Sequence, residues 1–193
     1  MLRMSNNLFI ITAPSGAGKT TLIKRAIDHA KEISEKVYLA VSHTTRNPRA
    51  GEEDGKDYLL INEDEFKKNI AQDEYLEYAL VHGNLYGTPK SEIENKLKDG
   101  NKILLEIDWQ GALQIMKHYP DAESIFISPP SVDELRKRLT DRGLDSEEVI
   151  ERRIKGAQTE LDQSKNFRHQ ISNISLDIAT KNLLNIMFRE THG

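Results

Sequence analysis

The sequence predicts an α/β fold with a mostly parallel sheet flanked by helices, and three stretches carry that prediction. "LFIITA" (8–13), "KILLEID" (102–108) and "SIFIS" (124–128) are short, nearly continuous apolar runs, as strands covered on both faces require. The first leads through a glycine-bearing loop, the second directly and the third through a proline pair into apolar residues at helical spacing.

After the first run a glycine-bearing loop precedes Leu22, Ile23, Ala26, Ile27 and Ala30, the buried stripe of a helix. After the second comes "WQGALQIMKHY", also helical. Pro129 and Pro130 close the third, and Ser131 with Glu134 then has capping-box spacing ahead of Val132, Leu135 and Leu139, with Gly143 as the stop. Asp145 and Glu148 repeat the capping pattern before Ile150, Ile154, Ala157 and Leu161, so two helices meet at "RGLDS". "QISNISLDIATKNLLNIMF" reads as a short strand and a closing helix carrying Leu176, Ala179, Leu183 and Met187. The stretch 43–90 breaks the rhythm with the turn-rich "NPRAGEEDGKDY" and is read as an inserted subdomain. Residues 51–80 hold ten acids against three lysines, which fits either a solvated face or the wall of a selective pocket.

A chain of 193 residues accommodates one such domain with an insertion, not two full domains. The net charge of −4 argues against nucleic acid as main partner, because phosphate-backbone binders carry strongly basic surfaces. With no cysteine the fold holds without disulfides or thiolate metal sites. The opening residues lack a signal-peptide pattern, and no apolar run approaches the roughly 18 residues of a membrane span. A cytoplasmic protein without membrane attachment is expected.

"APSGAGKTT" (13–21) sits between the first strand and its helix and departs from G-x-x-x-x-G-K-[ST] only by Ala13. That position lies at the strand's end, where a methyl is tolerated if the backbone stays out of the left-handed region. Gly16, Gly18, Lys19 and Thr20 take the motif's roles: backbone amides around phosphate oxygens, a lysine across the β and γ phosphates, a hydroxyl on Mg2+. The loop Ala13, Pro14, Ser15, Gly16, Ala17, Gly18, Lys19, Thr20 and Thr21 is therefore the expected nucleotide-phosphate site in a P-loop NTPase-type fold. Such proteins order the metal shell with a carboxylate at the end of a buried strand, which makes Asp108 a metal candidate beside Thr20. A turn aspartate is the alternative. "DWQG" (108–111) also fits the D-x-x-G of GTP-hydrolysing switch proteins, but the guanine-reading N-K-x-D is missing, since Asn95-Lys96-Leu97-Lys98 has lysine where the carboxylate belongs.

Phosphoryl transfer asks for in-line positioning and for cations against developing charge. Arg138 and Arg142 stand one helical turn apart, and Arg153 follows on the next helix. Arginines in charge-rich helices are ordinarily solvated and ion-paired; their place after the third strand, where P-loop kinases carry a mobile lid, favours a role at the phosphates. An acceptor that is itself a phosphate arrives ionised, so no general base is assigned.

In the order "APSGAGKTT", "VSHTTRNPRAGEEDGKDY", "EYLEYALVHGNLYGT", "LLEIDWQGA", "FISPPSVDELRKRLTDRG" and "SEEVIERRI", the chain closely resembles bacterial-type guanylate kinases from about residue 7 to 187. The resemblance implies transfer of the γ-phosphoryl group of ATP to GMP or dGMP with Mg2+, in purine nucleotide metabolism. It implies a single domain over 1–193, with its core at 1–42, 91–134 and 161–193, a GMP-binding subdomain at 43–90 and a lid at 135–160. Ser42, Arg46, Arg49, Tyr58 and Tyr86 would hold the GMP phosphate, and Glu77 and Thr88 would read guanine, whose N1–H and N2–H suit a carboxylate. Lys19, Arg46, Arg138, Arg142 and Arg153 form the catalytic set. Two positions depart from the family pattern. Glu106 in "LEIDWQG" stands where an aspartate usually lines the GMP site, and "NFRHQISNIS" keeps Asn173, near adenine in the family, without the neighbouring acids. Two competitors stand: a guanylate-kinase-like interaction module, which typically lacks the intact phosphate loop present here, and a kinase of another monophosphate. Monomer and homodimer both stay open.

Overall fold

The apolar runs form the expected strands in a computed structural model that describes residues 4–49, 51–81, 83–143 and 146–188, the side chains of Met4, Ser5 and Arg142 excepted. Chain order is β1 (Leu8–Thr12), α1 (Lys19–Glu32), β2 (Val37–Leu39), β3 (Ser42–Thr44), β4 (Tyr58–Leu60), α2 (Glu63–Ala71), β5 (Tyr75–Val81), β6 (Asn84–Pro89), α3 (Lys90–Lys98), β7 (Lys102–Glu106), α4 (Trp109–His118), β8 (Glu123–Ser128), α5 (Val132–Arg142), α6 (Glu147–Asp162), β9 (His169–Ser172) and α7 (Leu176–Met187). The fold is α/β, with a mostly parallel sheet and flanking helices. Its residues fall into two compact units.

One unit joins Phe9–Lys36 to Glu123–Gly193. Here β8 pairs in parallel with both β1 (Ile11 opposite Ile125) and β9 (Ile127 opposite Ile171). Every residue of β1 is buried, which is why its sequence is a run rather than an alternation. Helix α1 buries Leu22, Ile23, Ala26 and Ala30, and α7 buries Ala179, Leu183 and Met187, the predicted stripes. Helices α5 and α6 share a core of Leu135, Leu139, Ile150 and Ala157, with Ile154 packed against it. Ser131 caps α5, accepting from the Glu134 amide at 3.0 Å, and Gly143 ends it in the left-handed conformation at φ 65°. The cap of α6 differs from expectation. Ser146 takes it, accepting from the Val149 amide, because Ser146 immediately precedes the first helical residue; Asp145 lies outside the described residues.

The other unit holds residues up to Leu8 and Val37–Ala122. Strands β2 and β7 pair in parallel, Tyr38 opposite Ile103. The stretch that broke the βαβ rhythm forms a four-stranded mixed sheet in the order β4-β3-β6-β5. Its register sets Ser42 opposite Tyr58, Thr44 opposite Tyr86, and Glu77 opposite Thr88, so these side chains share one face. A bulge between Tyr75 and Glu77 turns Tyr75 to the other face, where Phe66 of α2 stacks on it with ring centroids 4.7 Å apart. Among the described residues no helix is long and apolar enough to cross a membrane.

Candidate active site

The phosphate loop is shaped by two glycines in conformations that side chains rarely adopt, Gly16 at φ 91° and Gly18 at φ 94°. Between them the Ala17 amide donates to Pro14 O at 3.0 Å, closing the turn. Gly18 is the N-cap of α1 and makes no side-chain cap hydrogen bond, and the positive end of the helix dipole lies at this glycine-turned loop, an arrangement suited to an anion. Lys19 and Thr20 begin that helix. Ala13 is buried at the strand's end and is not among the residues of positive φ, so the missing glycine costs the loop nothing conformationally.

The loop is held from two directions. Asn173, buried just beyond β9, donates its side-chain amide to Ala17 O at 2.7 Å. It lies so close to Gly18 that a β-carbon there would come within 2.4 Å of the Asn173 Nδ2 atom. Arg138 on α5 donates to Asn173 O at 3.2 Å while paired with Glu134 at 3.2 Å. Arg153 on α6 donates to the Ser15 hydroxyl at 2.7 Å. Two of the three helical arginines thus reach the loop or its support; the side chain of Arg142 lies outside the described residues.

The second cluster occupies the polar face of the mixed sheet. Arg46 stacks its guanidinium 5.4 Å from the Tyr58 ring centroid and donates from Nε to the Tyr86 hydroxyl at 3.0 Å. Both oxygens of Glu52 accept from Arg46 Nη2 at 2.9 Å. Burial opposes ionisation of Glu52, but the Arg49 amide and the Arg46 guanidinium outweigh it and hold the carboxyl below its ordinary value. Arg49 is exposed and enters through its backbone amide, 2.7 Å from Glu52. Tyr58 and Tyr86 meet edge to face at 5.9 Å. Burial pushes the Tyr58 hydroxyl up to about 12, with the nearby Glu106 charge adding to the shift.

Deeper on the same face Thr88 donates its hydroxyl to Glu77 Oε1 at 2.5 Å, and Ser42 Oγ stands 3.5 Å from that hydroxyl. Glu77 is only 3% exposed. Its carboxyl is pushed up to about 7, chiefly by burial and also by the Asp108 charge, against the lowering effect of the Thr88 hydrogen bonds. Asp108 caps α4, its Oδ1 accepting from Gln110 N at 2.6 Å and Gly111 N at 3.3 Å. Oxygen ligands suit magnesium, so the hydroxyl of Thr20 and the carboxylate of Asp108 have the chemistry the ion requires. Among the described residues no group of three or more His, Asp or Glu forms a metal cage of its own.

Three residues of this unit were not among the expected site residues: Glu52, Gln114 and Gly111, the last weighed only as the glycine of a D-x-x-G pattern. Gly111 offered a signal, since a glycine inside a helical pattern asks for a packing reason. Glu52 was one acid among many, and nothing local pairs it with Arg46.

A glycine-turned loop opening a helix behind a buried parallel strand, with arginines aimed at it, together with a separate face of cationic and hydroxyl groups around a buried carboxyl, defines a P-loop nucleotide phosphotransferase. A sequence model described as "Guanylate kinase" matches residues 5–190. Curated guanylate kinases from Dechloromonas aromatica (strain RCB) and Thiobacillus denitrificans are 46% identical over 93% of this chain and 87% of theirs, and 48% identical over 93% and 84%. The crystal structure of guanylate kinase from Anaplasma phagocytophilum superposes with a TM-score of 0.75 at 31% identity, covering 96% of this chain and 86% of that one. The chain belongs to the guanylate kinase family, nucleoside monophosphate kinases that catalyse ATP:GMP phosphotransfer.

Proposed function

We propose that this chain phosphorylates GMP and dGMP, with ATP bound at Ala13–Thr21 and the acceptor on the polar face formed by Ser42, Arg46, Tyr58, Glu77, Tyr86 and Thr88. The observation that carries this is the buried Glu77 carboxyl held by Thr88 on the same sheet face as the Arg46–Tyr86 pair. A carboxylate accepts from guanine N1–H and N2–H, whereas adenine presents an acceptor at N1. The hydroxyls and guanidinium at the other end suit a phosphate, with Arg49 added from the exposed loop. Glu106 brings a second negative charge close to Tyr58, and its longer reach than aspartate bears on GMP affinity rather than on reaction type.

On the donor side the loop amides and Lys19 hold phosphate oxygens, and Arg138, Arg142 and Arg153 neutralise charge on the transferring group. Mg2+ would be held by Thr20 and the nucleotide phosphates, with Asp108 ordering its shell; when bound, it supplies charge neutralisation. The 43–90 segment serves the acceptor and 135–160 acts as a lid that excludes water, favouring transfer over hydrolysis. Asn173 lies against the loop beside which adenine would sit. A cytoplasmic place in purine nucleotide metabolism follows from that activity.

ADP release from Mg-ATP is to be measured with GMP, dGMP, AMP, CMP and dTMP in parallel. Turnover confined to GMP and dGMP is expected. A preference for AMP or dTMP overturns the roles of Glu77 and Thr88, and silence with every acceptor points to a binding module.

A further inference from the structure

Helix α4 contributes more than its cap to the base-reading carboxyl. Gly111 lies buried in its first turn, at a backbone conformation open to any residue, where glycine is the poorest helix former after proline. The reason for it is proximity: a β-carbon there would stand 2.2 Å from Glu77 Oε2, 2.8 Å from its Cδ and 3.3 Å from its Cγ. One turn further along, on the same side of the helix, Gln114 donates from Nε2 to Tyr78 O at 2.8 Å and accepts from Tyr78 N at 3.3 Å. Strand β5 is the edge of its sheet, so Gln114 completes both backbone bonds that a neighbouring strand would make at the residue after Glu77.

We propose that Gly111 and Gln114 are positioning residues for purine selection, Gly111 by leaving room for the Glu77 carboxyl and Gln114 by fixing the strand from which it projects. The proposal rests on Glu77 as the group that reads guanine. Glycine in "DWQG" thereby has a role unrelated to the glycine of a GTPase switch. The base-reading geometry is set by three supports: Thr88 on Oε1, Gly111 against Oε2, and Gln114 on the neighbouring backbone.

Gly111→Ala and Gln114→Met are to be compared with the parent and with Glu77→Gln, measuring KM for GMP, KM for ATP, the GMP-to-AMP preference and the melting temperature. Ala is the better helix former, so a purely helical role predicts unchanged or improved behaviour in Gly111→Ala. We expect instead a rise in KM for GMP of about tenfold or more in Gly111→Ala and a smaller rise in Gln114→Met, with KM for ATP within twofold and a reduced preference for GMP over AMP. Values of KM for GMP within twofold of the parent in both variants overturn the proposal, as does an equal rise in both KM values. If Gly111→Ala does not fold, Gln114→Met decides alone on the same criteria. Loss of GMP selectivity in Glu77→Gln with neither positioning variant affected leaves the role of Glu77 intact and removes only the proposal. Unchanged GMP selectivity in Glu77→Gln removes both.

Discussion

At the scale of single residues, the base-reading role proposed for the buried Glu77 makes GMP binding depend on pH. Its carboxyl is pushed up to about 7 from an ordinary 4.5, mainly by burial. Between those values the folded protein binds a proton that the unfolded chain has released, so stability falls as pH rises through the window, by on the order of 3 kcal/mol in all. Binding of guanine runs the other way, because its two donors require the ionised form. KM for GMP is therefore expected to rise as pH drops below about 7, by up to tenfold per unit, and to level off above it. The acceptor phosphate also titrates, near about pH 6, so Glu77→Gln supplies the control. That variant should lose the inflection near neutrality and unfold in urea with a flatter pH dependence between pH 5 and 8. An inflection that persists unchanged in Glu77→Gln assigns the titration to another group.

At the scale of elements, the α5–α6 pair links core packing to the phosphate loop. A β-carbon on Gly16 would stand 3.0 Å from Leu135 and 3.1 Å from Leu139, so these two leucines form the wall on which the loop rests. Leu139→Ala removes part of that wall and part of the α5–α6 core, at a cost of about 2–5 kcal/mol. Urea unfolding should register the loss, and KM for ATP should rise while KM for GMP stays near the parent; the reverse ordering would separate this wall from the donor loop. The long elements were legible in the sequence because their periodicity is strong: β1, β7 and β8 as apolar runs, α1, α5, α6 and α7 as stripes. Strands β2, β3 and β4 have only three residues each, too few to display alternation, and their pairing depends on partners distant in sequence. The loop at 13–21 was legible for the same local reason. The link from Asn173 to Ala17, the Glu52 clamp on Arg46 and the Gly111 contact with Glu77 were not, since each joins residues that only the fold makes neighbours.

At the scale of the whole molecule, the two proposed nucleotide sites draw on different compact units, the phosphate loop on one and the polar sheet face on the other. The hydrogen bonds described for the loop, from Asn173 and Arg153, and for the sheet face, between Arg46 and Tyr86 and between Thr88 and Glu77, each lie within one unit. A ligand at about 100 times its Kd stabilises the folded chain by about 2.7 kcal/mol, which makes thermal unfolding a separate reporter for each site. Lys19→Met removes a charge at the start of α1, in the unit that holds the phosphate loop. It should lower turnover by at least about a hundredfold, the scale of losing one donor to developing charge, while keeping the melting shift produced by GMP. Arg46→Ala should do the converse, losing the GMP shift and keeping the one produced by Mg-ATP. Turnover at the parental level in Lys19→Met defeats the donor assignment. A GMP shift lost together with turnover in that variant shows instead that the lysine supports acceptor binding, because mass action ties each shift to the affinity of the ligand that produces it.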